Sequence, residues 1–354
     1  MKLAMLCPRL MTGFGVDLVV TELSRCLQEL GHEVHAFTLR SEGSLEPAFK
    51  SITNLEARSL NPIWLQGIVS HHRLTNKSWL RHLDDFDHII THGFPFYQLA
   101  QLFPKKTSLI DYGIPPPTLR NTRGRIYQHL YQRDFEKGLA NSRRIIAISE
   151  YLASHYPQQS AKTRVVRLGN DHVVRVAELS DRDQLMWTDL KQRLSGSAYT
   201  ISISRYDYLT NYKNLQLLVE AQSQLSSAKS NLRIVICGTG PAENRSLLES
   251  SGVVVVNAPS AALLTKLIQE ARVLASPSQW EGFNLPIAEA LAWGTPVLCL
   301  DIPAHREFKS KIVMREATEP AFIQRLVKAN LETQSAPQLF RWNSVAQEFL
   351  KALA

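Results

Sequence analysis

The sequence predicts an α/β protein built of two doubly wound parallel sheets. Three observations carry this. Apolar runs of strand length alternate with segments of helical periodicity, the alternation occurs twice, and a polar, charged stretch at Glu178–Ser197 separates the two series.

In the first series, Lys2–Cys7 is an apolar run of strand length, followed by a loop over Pro8–Gly15. Val20, Leu23, Leu27 and Leu30 recur at helical spacing, so a helix is expected from about Val16 to Leu30, ended by Gly31. Glu33–Phe37 begins the next strand and completes a βαβ opening. Short strands follow at His88–Thr91, Thr107–Ile110 and Arg144–Ile148.

The second series starts near Tyr199. It comprises a strand at Thr200–Ser204, a helix at Asn214–Leu225, strands at Leu232–Cys237 and Val253–Val256, and a helix at Ser260–Ala271. Val273-Leu-Ala-Ser ends a further buried strand and Thr295-Pro-Val-Leu-Cys-Leu forms the next. The short helix between them can be capped by Asn284, tolerates Pro286 in its first turn and ends at Gly294. Trp342, Val345, Phe349 and Leu350 stand at helical spacing, so the segment Ala336–Ala354 ends in an amphipathic helix. The domain boundary is placed at about residue 170, giving domains 1–170 and 171–354.

A chain of 354 residues is long enough for two substantial cores. With 44% hydrophobic and 20% charged residues it has an ordinary globular composition, which argues against disorder. It has no apolar run of bilayer-spanning length, and Met-Lys-Leu-Ala-Met-Leu-Cys-Pro is too short for a signal peptide, so a cytoplasmic location is expected. Cys7, Cys237 and Cys299 fall in strand-like runs and Cys26 in a helix, without metal-ligand spacing; buried, reduced thiols are expected.

The net charge of +8 is unevenly spread: residues 1–170 hold 21 Lys and Arg against 14 Asp and Glu. A cluster at Arg120, Arg123, Arg125, Arg133, Lys137, Arg143 and Arg144 reads either as a solvated helix face or as a surface for an anionic acceptor or membrane. Nucleic acid fits less well, because no binding motif or aromatic interleaving accompanies the charge.

The most informative stretch runs from Ser276 to Asp301. It places Glu281 in a loop and Glu289 inside the following apolar helix, eight positions on. Either glutamate alone reads as a solvated surface residue, but a helix of Leu285, Ile287, Ala288, Ala290, Leu291, Ala292 and Trp293 has little reason to carry a solvated carboxylate in its middle. A strand–loop–helix turn also aims free backbone N–H groups at an anionic ligand. Arg205 and Lys213 follow the strand Thr200–Ser204, where α/β sheets face their ligand crevice; they read as solvated cations or as a diphosphate site. Gly13 and Gly15 follow the first strand, but Leu18 stands where a dinucleotide fingerprint needs its third glycine. Gly238-Thr239-Gly240 closes the strand Leu232–Cys237 and reads locally as a turn. Asp181-Arg-Asp183 has the form of a metal-binding Asp-x-Asp, but it lies in the polar connecting stretch and is read as a false positive.

The Pro-Ser before Glu281, the Glu-Gly-Phe, and the Ala-x-Gly-Thr-Pro-Val after Glu289 together resemble the paired-glutamate motif of the retaining glycosyltransferases of family 4. That resemblance covers nearly the whole chain. It implies the GT-B fold, two Rossmann-like domains facing across a cleft, with the final helix (about 338–354) packing back on the first domain. It implies transfer of a hexose from a UDP- or GDP-sugar to a saccharide or lipid-linked hydroxyl, with retention and without a metal or other cofactor. By the same resemblance Glu281, Phe283, Asn284 and Leu285 contact the donor sugar, Glu289 holds the ribose, Arg205 and Lys213 hold the diphosphate, and Gly15 and Gly240 approach the nucleotide. The loop Tyr206–Tyr212 is longer than in many relatives. Asp111 stands where a histidine is common and is expected to accept from a sugar or acceptor hydroxyl or to act as base; His92 serves nearby or is a structural histidine. A GT-B nucleotide-sugar epimerase and a non-catalytic GT-B binding protein are the alternatives. A peripheral location at the inner membrane face accompanies the basic first domain.

Overall fold

The computed structural model describes the chain except for residues 43–47, 56–77, 117–121, 176–177, 208–210, 329–330 and 332–333. The described residues form two compact units, one of Met1–Leu168 with Arg341–Ala354 and one of Gly169–Phe340.

The first unit holds strands β1 (Lys2–Cys7), β2 (Glu33–Thr38), β3 (Ser51–Asn54), β4 (His88–Thr91), β5 (Thr107–Asp111), β6 (Arg144–Ala147) and β7 (Thr163–Val165), in the order β3-β2-β1-β4-β5-β6-β7. All neighbours pair parallel, with Leu3 opposite Val34 on one side and His88 on the other. Leu3–Cys7 is wholly buried because both faces of a central parallel strand are covered, which is why it reads as an unbroken apolar run. Helices α1 (Gly15–Glu29), α2 (Thr122–Asn141) and α3 (Glu150–Ala153) belong to this unit.

The second unit has β8 (Ala198–Ile203), β9 (Leu232–Gly238), β10 (Val254–Asn257), β11 (Val273–Ser276), β12 (Val297–Leu300) and β13 (Val313–Glu316), all parallel, in the order β10-β9-β8-β11-β12-β13. Its helices are α4 (Asp181–Leu194), α5 (Leu215–Ser227), α6 (Ala242–Ser250), α7 (Ala261–Glu270), α8 (Leu285–Ala292), α9 (Pro303–Arg306) and α10 (Glu319–Val327). Leu218, Ile234, Ile236, Val273, Leu298 and Phe322 meet in one core cluster that joins the sheet to α5 and α10. The polar stretch Glu178–Ser197 contains α4. Ser180 caps it in a reciprocal capping box with Asp183, so the Asp-x-Asp lies in a helix first turn, where acidic residues favour the dipole.

The last helix, α11 (Trp342–Leu353), packs on α1 and buries Trp342, Val345 and Phe349. Arg143 and Arg144 each donate to the backbone oxygen of Ala354, at 3.0 and 2.9 Å. Two cations of the basic cluster therefore sit at a helix C-terminus, the end that favours positive charge. Arg120 lies outside the described residues.

The helix that carries Glu289 ends as its sequence predicts. Gly294 takes φ +69°, and its N–H and that of Thr295 return to Leu291 and Ala290 carbonyls at 3.1 and 3.0 Å. A Cβ at Gly294 would fall 1.9 Å from the Ser335 carbonyl oxygen. Gly294→Ala is expected to cost at least about 1–3 kcal/mol of stability; urea denaturation with an unchanged midpoint would show that the close approach relaxes freely.

Candidate functional site

In the second sheet the chain leaves β8 toward β9 and β10, then returns on the other side to β11. The loops after β8 and β11 therefore part at a topological switch point, where open α/β sheets form their ligand crevice. Side chains and backbone tie the two loops together. Gln279 N donates to Tyr212 O at 2.8 Å, and Glu319 Oε1 accepts from Asn214 Nδ2 (2.7 Å) and Gln279 Nε2 (2.9 Å). Tyr212 sets its ring edge-on to Trp280.

Within this frame Lys213 Nζ donates to Glu281 Oε1 at 2.7 Å. Glu281 is buried and the Lys213 side chain is one-quarter exposed. Burial pulls the Lys213 pKa down, but the charge of Glu281, with Tyr212, outweighs it and holds the ammonium above its ordinary value. Two residues expected at the diphosphate and at the sugar thus share one contact.

Asn284 occupies the N-cap position of α8, but the expected side-chain cap is absent. Its backbone is left-handed (φ 82°, ψ 74°), which turns the side chain away from the helix. The amide nitrogen instead donates to Ser276 Oγ at 2.9 Å and to His305 Nε2 at 2.8 Å. His305 Nδ1–H donates to Leu300 O at 2.7 Å, so the ring is neutral with Nε2 as acceptor. Burial lowers its pKa against the opposing pull of that carbonyl. Phe283 packs on Phe308 with ring centroids 5.1 Å apart. The backbone N–H groups of Phe283, Asn284 and Leu285 donate to no protein acceptor among the described residues. Held open at a helix start, they can receive oxygen atoms of a ligand.

Glu289 lies on α8 beyond this cradle, buried, with Oε1 accepting from His172 Nε2 at 3.1 Å. His172 follows Asn170, whose Nδ2 donates to Ala288 O (2.6 Å) and Gln338 O (2.9 Å), while its Oδ1 accepts from Phe340 N (2.7 Å).

Arg205 follows β8 and forms an ion pair with Asp207; its side chain is half exposed. Exposed pairs of this kind contribute about 0–1 kcal/mol, so a phosphate can displace Asp207 at little cost. Gly240 is required by close packing: a Cβ there would lie 2.2 Å from the Tyr206 ring. Tyr206 N donates to Thr239 O at 3.0 Å, so the loops after β8 and β9 are shaped together.

The remaining expected residues lie in the first unit. Gly15 is the exposed first residue of α1. Two residues further on, in the first turn of α1, Asp17 accepts from Arg9 Nε (2.8 Å) and Met11 N (2.9 Å), which ties the preceding loop to the helix start. Asp111 is fully buried at the end of β5, where Oδ1 accepts from Gly113 N (2.7 Å) and Oδ2 from Tyr156 OH (2.6 Å). Burial raises its pKa against the lowering effect of these bonds. Both oxygens are thus committed to the protein, which does not fit the expected contact with a sugar or acceptor hydroxyl. His92 is likewise enclosed, with Nδ1 on Tyr112 OH at 2.8 Å and Nε2 beside Met5 Sδ at 3.3 Å, an arrangement that fits a structural histidine.

Sequence reasoning missed His172, Asn170 and His305. His305 follows a strand end in Ile302-Pro-Ala-His305, the kind of place where ligand-side residues cluster; His172 and Asn170 act on α8 from more than a hundred residues away and leave no local pattern. No group of three or more His, Cys, Asp or Glu among the described residues is arranged to hold a metal ion.

Two family models match the sequence in succession: Glycosyltransferase Family 4 over residues 15–172 and Glycosyl transferases group 1 over residues 198–329. No curated protein matches the sequence. Among solved structures the chain is similar to WaaG, a glycosyltransferase involved in lipopolysaccharide biosynthesis, with TM-score 0.70 and 13% identity over 99% of this chain and 95% of that one. It is similar to sucrose-phosphate synthase from Thermosynechococcus elongatus, with TM-score 0.68 and 16% identity over 99% and 97%. It is also similar to Anabaena HepE in complex with UDP-glucose, with TM-score 0.65 and 14% identity over 99% of each chain. The shared fold is GT-B.

The enclosed His92 gives a pH test of the first unit. Burial pushes its pKa down to about 3. The unfolded chain therefore takes up the proton first, and the stability due to neutral His92 is complete above about pH 6.5 and lost toward pH 3, by about 1.4 kcal/mol per unit. Buried Asp134, raised to about 7 by desolvation, slopes the opposite way but is common to both proteins compared. Between pH 7 and 5 the wild type should lose about 2 kcal/mol more than His92→Asn; parallel losses in urea denaturation would contradict the burial of a neutral ring.

Proposed function

The chain belongs to the group 1 glycosyltransferases of family 4, and on that premise we propose that it moves a hexose from a UDP- or GDP-sugar to a hydroxyl of a saccharide or lipid-linked acceptor, with retention of configuration. The observation that carries this reading is the Lys213–Glu281 contact at the β8/β11 switch point, beside the open N–H groups of Phe283, Asn284 and Leu285. The complex of HepE with UDP-glucose, on the same fold, supports a nucleotide-sugar donor.

In this reading the donor's anomeric C–O bond breaks and the leaving diphosphate gains negative charge. Lys213 and Arg205 meet that charge, which is why no metal is required by the scheme. Glu281 and the amides that follow it hold the sugar hydroxyls, and Glu289 holds the ribose. The acceptor oxygen attacks from the face the diphosphate leaves, and its proton passes to a donor phosphate oxygen, so the configuration is retained. Asp111 and His92, both enclosed, keep the end of β5 and the loop after β4 in place rather than touching substrate. The basic first unit suits an anionic acceptor or membrane surface on charge alone; among the described residues no helix is long and apolar enough to cross a membrane.

A thermal-shift screen against UDP-, GDP- and ADP-sugars tests donor binding and names the base. Glu281→Gln should abolish transfer while the melting curve stays that of a folded protein; undiminished turnover would remove Glu281 from the site. Arg205→Ala should weaken nucleoside diphosphate binding by about 1.5–3 kcal/mol, the range of a hydrogen bond to a charged group. Equal affinities by calorimetry would remove Arg205 from the site. An epimer of the donor sugar as sole product would overturn the transferase reading.

A further inference from the structure

We propose that His172 is a positioning residue that holds the Glu289 carboxylate so that one of its oxygens reads a ribose hydroxyl of the donor, making the His172–Glu289 pair a determinant of ribose over deoxyribose. The proposal rests on the reading in which Glu289 contacts the ribose.

Glu289 is buried, with Oε1 engaged by His172 Nε2 at 3.1 Å, and Oε2 has no protein partner among the described residues. A free carboxylate can rotate and can accept two neighbouring hydroxyls at once. With one oxygen taken by an imidazole N–H, rotation stops and a single acceptor is offered in a fixed direction.

The pair is anchored on both sides. Glu289 lies inside α8, where neighbouring Ala288 and Ala290 are fully buried. His172 lies in a short 3-10 turn, Asp171–Arg175, that packs on α8. Two residues before His172, the Asn170 side chain donates to Ala288 O at 2.6 Å, one residue before Glu289. The same side chain donates to Gln338 O and accepts from Phe340 N, so the segment 338–340 holds the turn against the helix. The two partners are thus locked one or two residues from their own contact, and His172 cannot leave Glu289 without disturbing Asn170.

The test is calorimetry on the full chain with whichever of UDP, GDP and ADP binds most tightly, compared with its 2′-deoxy and 3′-deoxy forms. The wild type should bind one deoxy form roughly 10- to 100-fold more weakly than the ribose form, as expected for one lost hydrogen bond to a carboxylate. His172→Ala, and His172→Leu as a bulkier apolar replacement, should shrink that ratio at least threefold. His172→Gln, which keeps an N–H donor, should retain most of it; melting curves report which variants are folded. A ratio unchanged in both apolar variants but lost in Glu289→Gln would overturn the role of His172 and leave the ribose contact standing. A wild type that does not discriminate, or a Glu289→Gln that discriminates as before, would overturn the ribose contact and this proposal with it.

Discussion

Lys213 and Glu281 belong to loops that follow different strands, and the 2.7 Å contact between them ties the two loops together at the C-terminal ends of the central strands β8 and β11. Beyond the buried Tyr206 and Phe283, the course of the two loops among the described residues is defined by polar contacts. The ion pair, the Gln279–Tyr212 backbone bond and the double grip of Glu319 supply that definition. A partly buried pair keeps its value only while both partners stay, because removing one leaves the other charge desolvated. In the proposed reading this couples the residue that would meet a phosphate to the one that would hold a sugar, so that a ligand carrying both groups would engage the two loops as one surface.

Beneath that surface the support is polar and neutral. Asn284 gives up the usual cap to reach Ser276 and His305, and His305 in turn is fixed by Leu300. These bonds join the ends of β11 and β12 to the start of α8, so the open N–H groups stand on two strands and a helix. Protonating His305 would leave Nε2 with a hydrogen facing the Asn284 amide hydrogens, and burial opposes that protonation.

How much of this the sequence discloses follows the range of the interactions. Strands β1, β4 and β11 are buried on both faces, so their apolar runs announce them; the periodicity of α1 and the punctuation of α8 by Pro286 and Gly294 are local too. Glu281, Glu289, Arg205 and Lys213 stand out because a charged residue beside a strand end or inside an apolar helix needs a reason. By contrast α4 hides in a polar stretch with few buried residues, and β3 and β7 are short edge strands with no buried residue, β3 being mostly exposed and β7 mostly half-buried. The surroundings of Asp111 are not legible for a physical reason: the bond it accepts from Tyr156, far along the chain, leaves no local pattern. His172 and Asn170 are illegible in the same way, since their meaning lies wholly in tertiary contacts.

The placement of α11 bears on how the polypeptide matures. The first unit is discontinuous: it runs to Leu168, yields to the entire second unit, and is completed only by Arg341–Ala354. During synthesis the apolar face of α1 must wait for Trp342, Val345 and Phe349 until the whole second unit has emerged, whereas the second unit is contiguous and can fold as soon as it is made. The domain begun first is thus the one finished last, and an interrupted chain would carry an intact second unit beside an unfinished first one.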